Sequence, residues 1–228
     1  MHKHITFLHT SAIHIETFAR LVKAIDPDVK VEHVVEEALL TDAQRVGAND
    51  PALVMRVHDA MTKAASTGAP IVVCTCSTIG GAAERTPTDR HFVPIRIDRA
   101  MADRAVALGP SILVVAALES TLGPTRELLE ESANSAGVAI EIEYLVAEGA
   151  WPHFLRGDWT AYFEAVVTAV NAIAPHSVSA IVLAQASMAP AAEALSGMGI
   201  EVLSSPSLGV QSVVEQLHNR RIGLVPTC

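Results

Sequence analysis

Short apolar runs rich in β-branched residues alternate along this chain with longer stretches whose apolar positions recur three or four apart. The short runs predict strands at His4–His9, Val29–Val35, Ile71–Cys76, His91–Ile97, Ser111–Ala117, Val138–Val146, Val178–Leu183 and Val202–Leu203, with one more at Ile222–Val225. Between them, Ile13–Ile25 carries Ile13, Phe18, Leu21, Val22 and Ile25 near a 3.6-residue period. Further helices are predicted at Pro51–Ser66, Arg99–Leu108, Thr125–Ala136, Trp159–Ala174, Pro190–Met198 and Ser207–His218. Punctuation agrees with this reading. Asp50 and Pro51 suit an N-cap and first helical position, Asp98 a second N-cap, and Gly137 a C-terminal stop. Leu39–Asn49 and Ala147–Asp158 lack a clear period and read as loops. Strands alternating with helices throughout predict an α/β architecture with parallel, helix-covered sheets.

The run Ile71-Val72-Val73-Cys74-Thr75-Cys76-Ser77-Thr78-Ile79-Gly80-Gly81 changes the picture from fold to chemistry. A buried parallel strand here delivers a thiol to its carboxyl end, where open α/β folds bind ligands. Cys74 reads as core. Cys76, beside Ser77, Thr78 and the N–H groups of a helix start, is the candidate reactive residue, and those dipoles would favour its thiolate or a substrate carboxylate.

A second segment, Ile181 to Ser187, overlays Ile71 to Ser77, and a helix follows each near Ala-Ala-Glu (Ala82 to Glu84, Ala191 to Glu193). The repeat predicts two similar lobes, residues 1–97 with 205–228 and residues 98–204, facing each other across a cleft. It puts Ala186 opposite Cys76, and a slide of one residue puts Gln185 there.

Half of the residues are hydrophobic and 18% are charged, which suffices for a sizeable core. With 25 acidic and 16 basic residues, the net charge of −9 argues against a nucleic-acid or anionic-membrane surface. Three cysteines make no disulfide framework, no apolar run reaches the length of a membrane span, and the polar N-terminus is no signal peptide, so a reduced cytoplasmic setting is expected. His2, His4, His9 and His14 cluster without a carboxylate or cysteine at metal-ligand spacing, so no metal is expected; His9, at a strand end, is a candidate cleft residue. Arg85, Arg90, Arg96 and Arg99 follow the cysteine segment; each reads first as part of a solvated helix face, and a substrate carboxylate is the alternative partner for one of them. No dinucleotide or phosphate-loop glycine pattern and no nucleophile elbow appears, leaving a cofactor-independent protein.

The strand ending in Cys76-Ser77-Thr78-Ile79-Gly80 resembles the first catalytic cysteine motif, Cys-Asn-Thr or a close variant, of the aspartate/glutamate racemase superfamily. That group includes glutamate, aspartate and hydantoin racemases, maleate isomerase and arylmalonate decarboxylase. Leu113–Thr125 is similar to the threonine-bearing loop opening its second lobe, Ile181–Pro190 to its second cysteine segment, and His9-Thr10-Ser11 to its first substrate-touching loop. The resemblance implies two pseudo-symmetric Rossmann- or flavodoxin-like lobes. It makes Cys76 catalytic, with Thr10, Ser11, Ser77, Thr78, Ser120, Thr121, Gln185 and Ser187 as substrate-binding candidates.

The second thiol is missing. Two-base racemisation needs a proton-carrying group on each face of one carbon, and neither Ala186 nor Gln185 carries one. A single thiol can serve one face of an enediolate in isomerisation, decarboxylation or elimination, or add to an activated double bond. The expectation is therefore a cofactor-independent isomerase or related carbanion enzyme, compatible with a homo-oligomer, that acts on a small carboxylate substrate. The alternatives are a single-cysteine decarboxylase or lyase, and a non-catalytic small-molecule-binding protein that kept the fold.

Overall fold

The structure, a computed structural model, describes residues 3–89, 91–173 and 177–222. The chain divides into two compact units, Met1–Ile97 with Pro206–Cys228, and Asp98–Ser205.

In unit 1, β1 (His4–His9) leads through α1 (His14–Ile25) to β2 (Lys30–Val35), and α2 (Glu37–Val46) and α3 (Pro51–Ala65) lead to β3 (Ile71–Cys74). Then come α4 (Ser77–Glu84) and β4 (Val93–Arg96). The sheet order is β2-β1-β3-β4, parallel throughout. Both faces are covered, which is why β3 reads as an unbroken apolar run and why even the polar His4, Thr6 and His9 of β1 are buried. Leu8, Val72 and Cys74 point into a core with Leu39, Leu53, Val57, Met61 and Ile79 from α2, α3 and α4. Phe7, on the opposite face of β1, meets Phe18 of α1 with ring centroids 5.2 Å apart. Asp50 caps α3 by accepting from the amides of Ala52 and Leu53.

Unit 2 repeats the plan. After α5 (Arg99–Leu108) come β5 (Ser111–Ala116), α6 (Leu122–Ala136), β6 (Glu141–Val146), α7 (Ala150–Leu155), α8 (Trp159–Ile173) and β7 (Ala180–Leu183). A 3-10 turn (Ala186–Met188), α9 (Ala189–Ala194) and β8 (Glu201–Ser204) follow. The parallel order is β6-β5-β7-β8. Tyr162, Val166 and Val170 of α8 pack with Leu113, Val115, Ile181 and Leu183 of the sheet. The chain then returns to unit 1 in α10 (Ser205–Ile222). Gly209 of α10 lies so near the end of β4 that a Cβ there would stand 2.1 Å from the Ile97 carbonyl oxygen.

The α/β class with two parallel sheets matches the expectation, and three local readings are corrected. Leu39–Asn49 is no loop: α2 occupies most of it, burying Leu39 and Ala43 one turn apart. Ala147–Asp158 holds α7, whose Pro152 falls in the first turn, where its missing N–H has no partner to lose. Phe154 of α7 stacks on Trp151 at 4.5 Å and meets Trp159 and Tyr162 edge-on, so the segment is packed. The third correction is the short helix expected from Ala82, which begins directly at Ser77. The strand expected at Ile222–Val225 lies outside the described residues except for Ile222, which ends α10.

Candidate active site

β3 ends at Cys74, and Thr75 continues the ladder by donating its amide to the Leu8 carbonyl. Cys76 follows in extended conformation (φ −97°, ψ 112°) at the N-cap position of α4. Strand and helix thus meet at the thiol because an apolar run gives way to Ser-Thr-Ile with no intervening loop. Cys74 is 1% exposed and packs in the core, donating its thiol to the Cys76 carbonyl at 3.6 Å. Cys76 keeps partial exposure.

The surroundings of the sulfur oppose one another. Burial raises the Cys76 pKa, whereas the Thr10 hydroxyl, the amides of Ile79 and Thr78 and the Thr78 hydroxyl pull it down. The net direction is up, against the thiolate expected from sequence. The reason is burial: desolvation of the sulfur outweighs the hydrogen bonds it receives, those from the Thr78 and Ile79 amides in the first turn of α4 included. A helix start of this kind favours negative charge at or beside the thiol. Ser77 Oγ is also buried, with no hydrogen-bond partner among the described residues.

Two residues beside this site are more buried than the sequence reading expected. Arg96, expected in solvent, is 2% exposed. It donates to the Ser77 carbonyl at 3.4 Å and lies against α4, where a Cβ on Gly80 would stand 3.0 Å from its Nε. Gly80-Gly81 therefore admits a guanidinium beside the helix that starts at the thiol. The only forewarning was a glycine pair inside a helical stretch. His9, expected in a cleft, is wholly buried. Its Nδ1 is 2.8 Å from Thr75 Oγ1, and its Nε2 is 2.8 Å from His33 Nδ1. With the Thr75 hydroxyl donated to the Leu8 carbonyl 3.3 Å away, His9 donates from Nδ1 and accepts from His33. Burial first, then the neighbouring His33 and His14, lower the His9 pKa to about 3.

Among the other predicted site residues of unit 1, Thr10 reaches the thiol from the end of β1, whereas the carbonyl of Ser11 accepts from the His14 amide.

Strand registers decide which residue of unit 2 matches the thiol. Leu8 pairs with Cys74 and accepts from Thr75; Val115 pairs with Leu183 and accepts from Ala184. Gln185 is therefore the counterpart of Cys76, also extended and also preceding a helical turn. The sequence overlay, which put Ala186 there, is one residue out. Gln185 Oε1 accepts from the Ala117 amide at 2.8 Å, and its Nε2 donates to Thr121 Oγ1 at 3.4 Å. Ser187, the counterpart of Thr78, lies 2.8 Å from the Tyr162 hydroxyl. Ser120 Oγ is buried without a hydrogen-bond partner among the described residues. A cavity of about 260 Å³ lined by Leu122, Gly123, Arg126 and Tyr144 lies elsewhere in unit 2 and includes none of the predicted site residues.

Each unit thus holds a four-stranded parallel sheet of the same order, and in unit 1 a thiol follows the end of the third strand. The class of α/β protein comes from comparison with known ones. The family model for Asp/Glu/Hydantoin racemase matches residues 7–213, and the chain belongs to that family. A glutamate racemase of Bacillus anthracis has a similar fold, with a TM-score of 0.70 at 13% identity over 96% of this chain and 82% of that one. The aspartate racemase of Picrophilus torridus gives 0.69 at 12% identity, covering 94% of each chain. The allantoin racemase of Pseudomonas fluorescens gives 0.61 at 22% identity, covering 97% and 92%. A search of curated protein sequences finds no match.

Proposed function

We propose that this chain is a cofactor-independent isomerase or related carbanion enzyme that acts on a small carboxylate-bearing substrate through one thiol, that of Cys76. The observation carrying this reading is the register match of Cys76 with Gln185, whose amide does not exchange protons as a base. In this reading the α4 amides, Ser77 and Thr78 hold the substrate carboxylate, and Cys76 serves one face of the adjacent carbon. A reduced cytoplasmic compartment keeps the thiol free. Among the described residues no helix is long and apolar enough to cross a membrane.

The raised Cys76 pKa supports a second, narrower reading, a decarboxylase or lyase. A protonated thiol is ready to give rather than take. Loss of CO2 from a malonate-type substrate leaves an enediolate, which takes the thiol proton, and solvent then reprotonates the sulfur.

Two measurements test both readings. Cys76 should alkylate with iodoacetamide along a single-thiol pH profile and be protected by substrate. Incubation with malonates, hydantoins and dicarboxylates in deuterium oxide should place one deuterium with one configuration. Equal exchange at both faces would overturn the single-thiol mechanism. Absence of exchange with every compound, with binding retained by Cys76→Ala, would identify a binding protein.

A further inference from the structure

Tyr162 of α8 is 0% exposed, and its hydroxyl lies 2.8 Å from Ser187 Oγ. Neither hydroxyl makes another hydrogen bond among the described residues, and Tyr162 has no access to water. A phenol so enclosed must donate to its one partner, because a buried hydrogen without an acceptor costs about 1–3 kcal/mol. Ser187 Oγ is then occupied as an acceptor and keeps its own hydrogen to give. Burial holds the Tyr162 pKa up to about 12, so the phenol stays a donor throughout the working range. Unlike Tyr162, Ser187 is only part-buried, and it follows the end of β7 at the position matching Thr78. Two residues earlier, Gln185 has its carbonyl oxygen fixed by the Ala117 amide, and its amide nitrogen donates to Thr121 Oγ1.

We infer that Tyr162 is a positioning residue that fixes the Ser187 hydroxyl as a hydrogen-bond donor to a carboxylate or enolate oxygen of the ligand. Where a thiol would exchange a proton, the end of β7 then offers only donation to oxygen. This rests on the single-thiol reading, and its test fails separately from that reading.

The chain has two tyrosines, Tyr144 and Tyr162, so the full-length protein labelled with 3-fluorotyrosine gives two fluorine resonances, assigned with Tyr144→Phe. Titration with malonate, maleate, succinate and acetate should shift the Tyr162 resonance saturably for at least one compound. Ser187→Ala should abolish that shift. Tyr162→Phe in unlabelled protein should weaken binding of the same compound about fivefold, the value of one hydrogen bond of ~1 kcal/mol. A Tyr162 resonance unmoved by all four compounds overturns the inference, as does unchanged affinity in Ser187→Ala. Ligand protection of Cys76 from alkylation, read on the same samples, reports on the proposed function alone. Protection that survives in Ser187→Ala with affinity unchanged would keep that function and remove the role of Tyr162.

Discussion

Mild acid should destabilise unit 1 through His9, well before its carboxylates respond. The His9 pKa is about 3 in the folded chain, lowered first by burial and then by His33 and His14, against about 6.5 for an unperturbed imidazole. Above pH 6.5 both states are neutral and the residue contributes no pH dependence. Below it the unfolded chain binds a proton that the native state refuses, so stability falls by about 1.4 kcal/mol per pH unit and per histidine until the folded pKa is reached. From pH 7 to pH 5 His9 alone removes about 2 kcal/mol, a large part of a domain's usual stability. His14, lowered to about 4 by burial, acts with the same sign. The groups facing His9 are His33 from β2, His14 and Phe18 from α1, Phe7 from β1 itself, and Thr75. Protonated His9 could no longer accept from His33, so the charge also breaks a hydrogen bond. The carboxylates held low, such as Asp26 at about 2 by hydrogen bonds from Lys3 and His218, lose their contribution only below about pH 4. Urea unfolding followed by far-UV circular dichroism from pH 8 to pH 5 would measure the slope. His9→Gln should reduce it by about one proton in this window. A flat profile from pH 6.5 to 5, or an unchanged slope in His9→Gln, would refute the reasoning.

Other outcomes follow from single contacts. Thr10→Val removes a hydroxyl that lowers the Cys76 pKa, so iodoacetamide alkylation at neutral pH should slow about fivefold, as expected for one hydrogen bond of ~1 kcal/mol. Asp50→Ala leaves two α3 amides without their acceptor and should cost about 1 kcal/mol in urea titrations. Gly209→Ala places a methyl group 2.1 Å from the Ile97 carbonyl oxygen, and thermal melts should show a loss of at least about 1–3 kcal/mol. Gly80→Ala meets the Arg96 guanidinium at 3.0 Å and should alter the alkylation rate of Cys76 as well as the melting temperature.

The sequence made the fold class legible because strands buried on both faces are apolar throughout and amphipathic helices keep their period. The two unrecognised helices, α2 and α7, occupy the same place in the two units, between the second strand and the longer helix before the third. Each is short, and α2 buries only Leu39 and Ala43, too few apolar positions to set a period. Cys76 could be picked out by its place at the end of an apolar run. Its raised pKa could not, since desolvation depends on what other segments bring around the sulfur. Finding Gln185 as its counterpart needed hydrogen-bond register, because alanine-rich stretches overlay about equally well at neighbouring offsets. Arg96 and Tyr162 were invisible for a related reason. A lone arginine in a strand, or a tyrosine in a helix, shows its partner only when the chain has closed.

Unit 2 is one continuous stretch of chain, whereas unit 1 takes its helix α10 from beyond unit 2. A ribosome therefore releases β1 to β4 before unit 2, yet the residues that seat Gly209 against Ile97 emerge only after it. The later-born half can close while the earlier one still waits for its missing piece, a separation of more than a hundred residues whose closure cost grows only logarithmically. The unit that carries Cys76 is therefore begun before unit 2 and completed only after it.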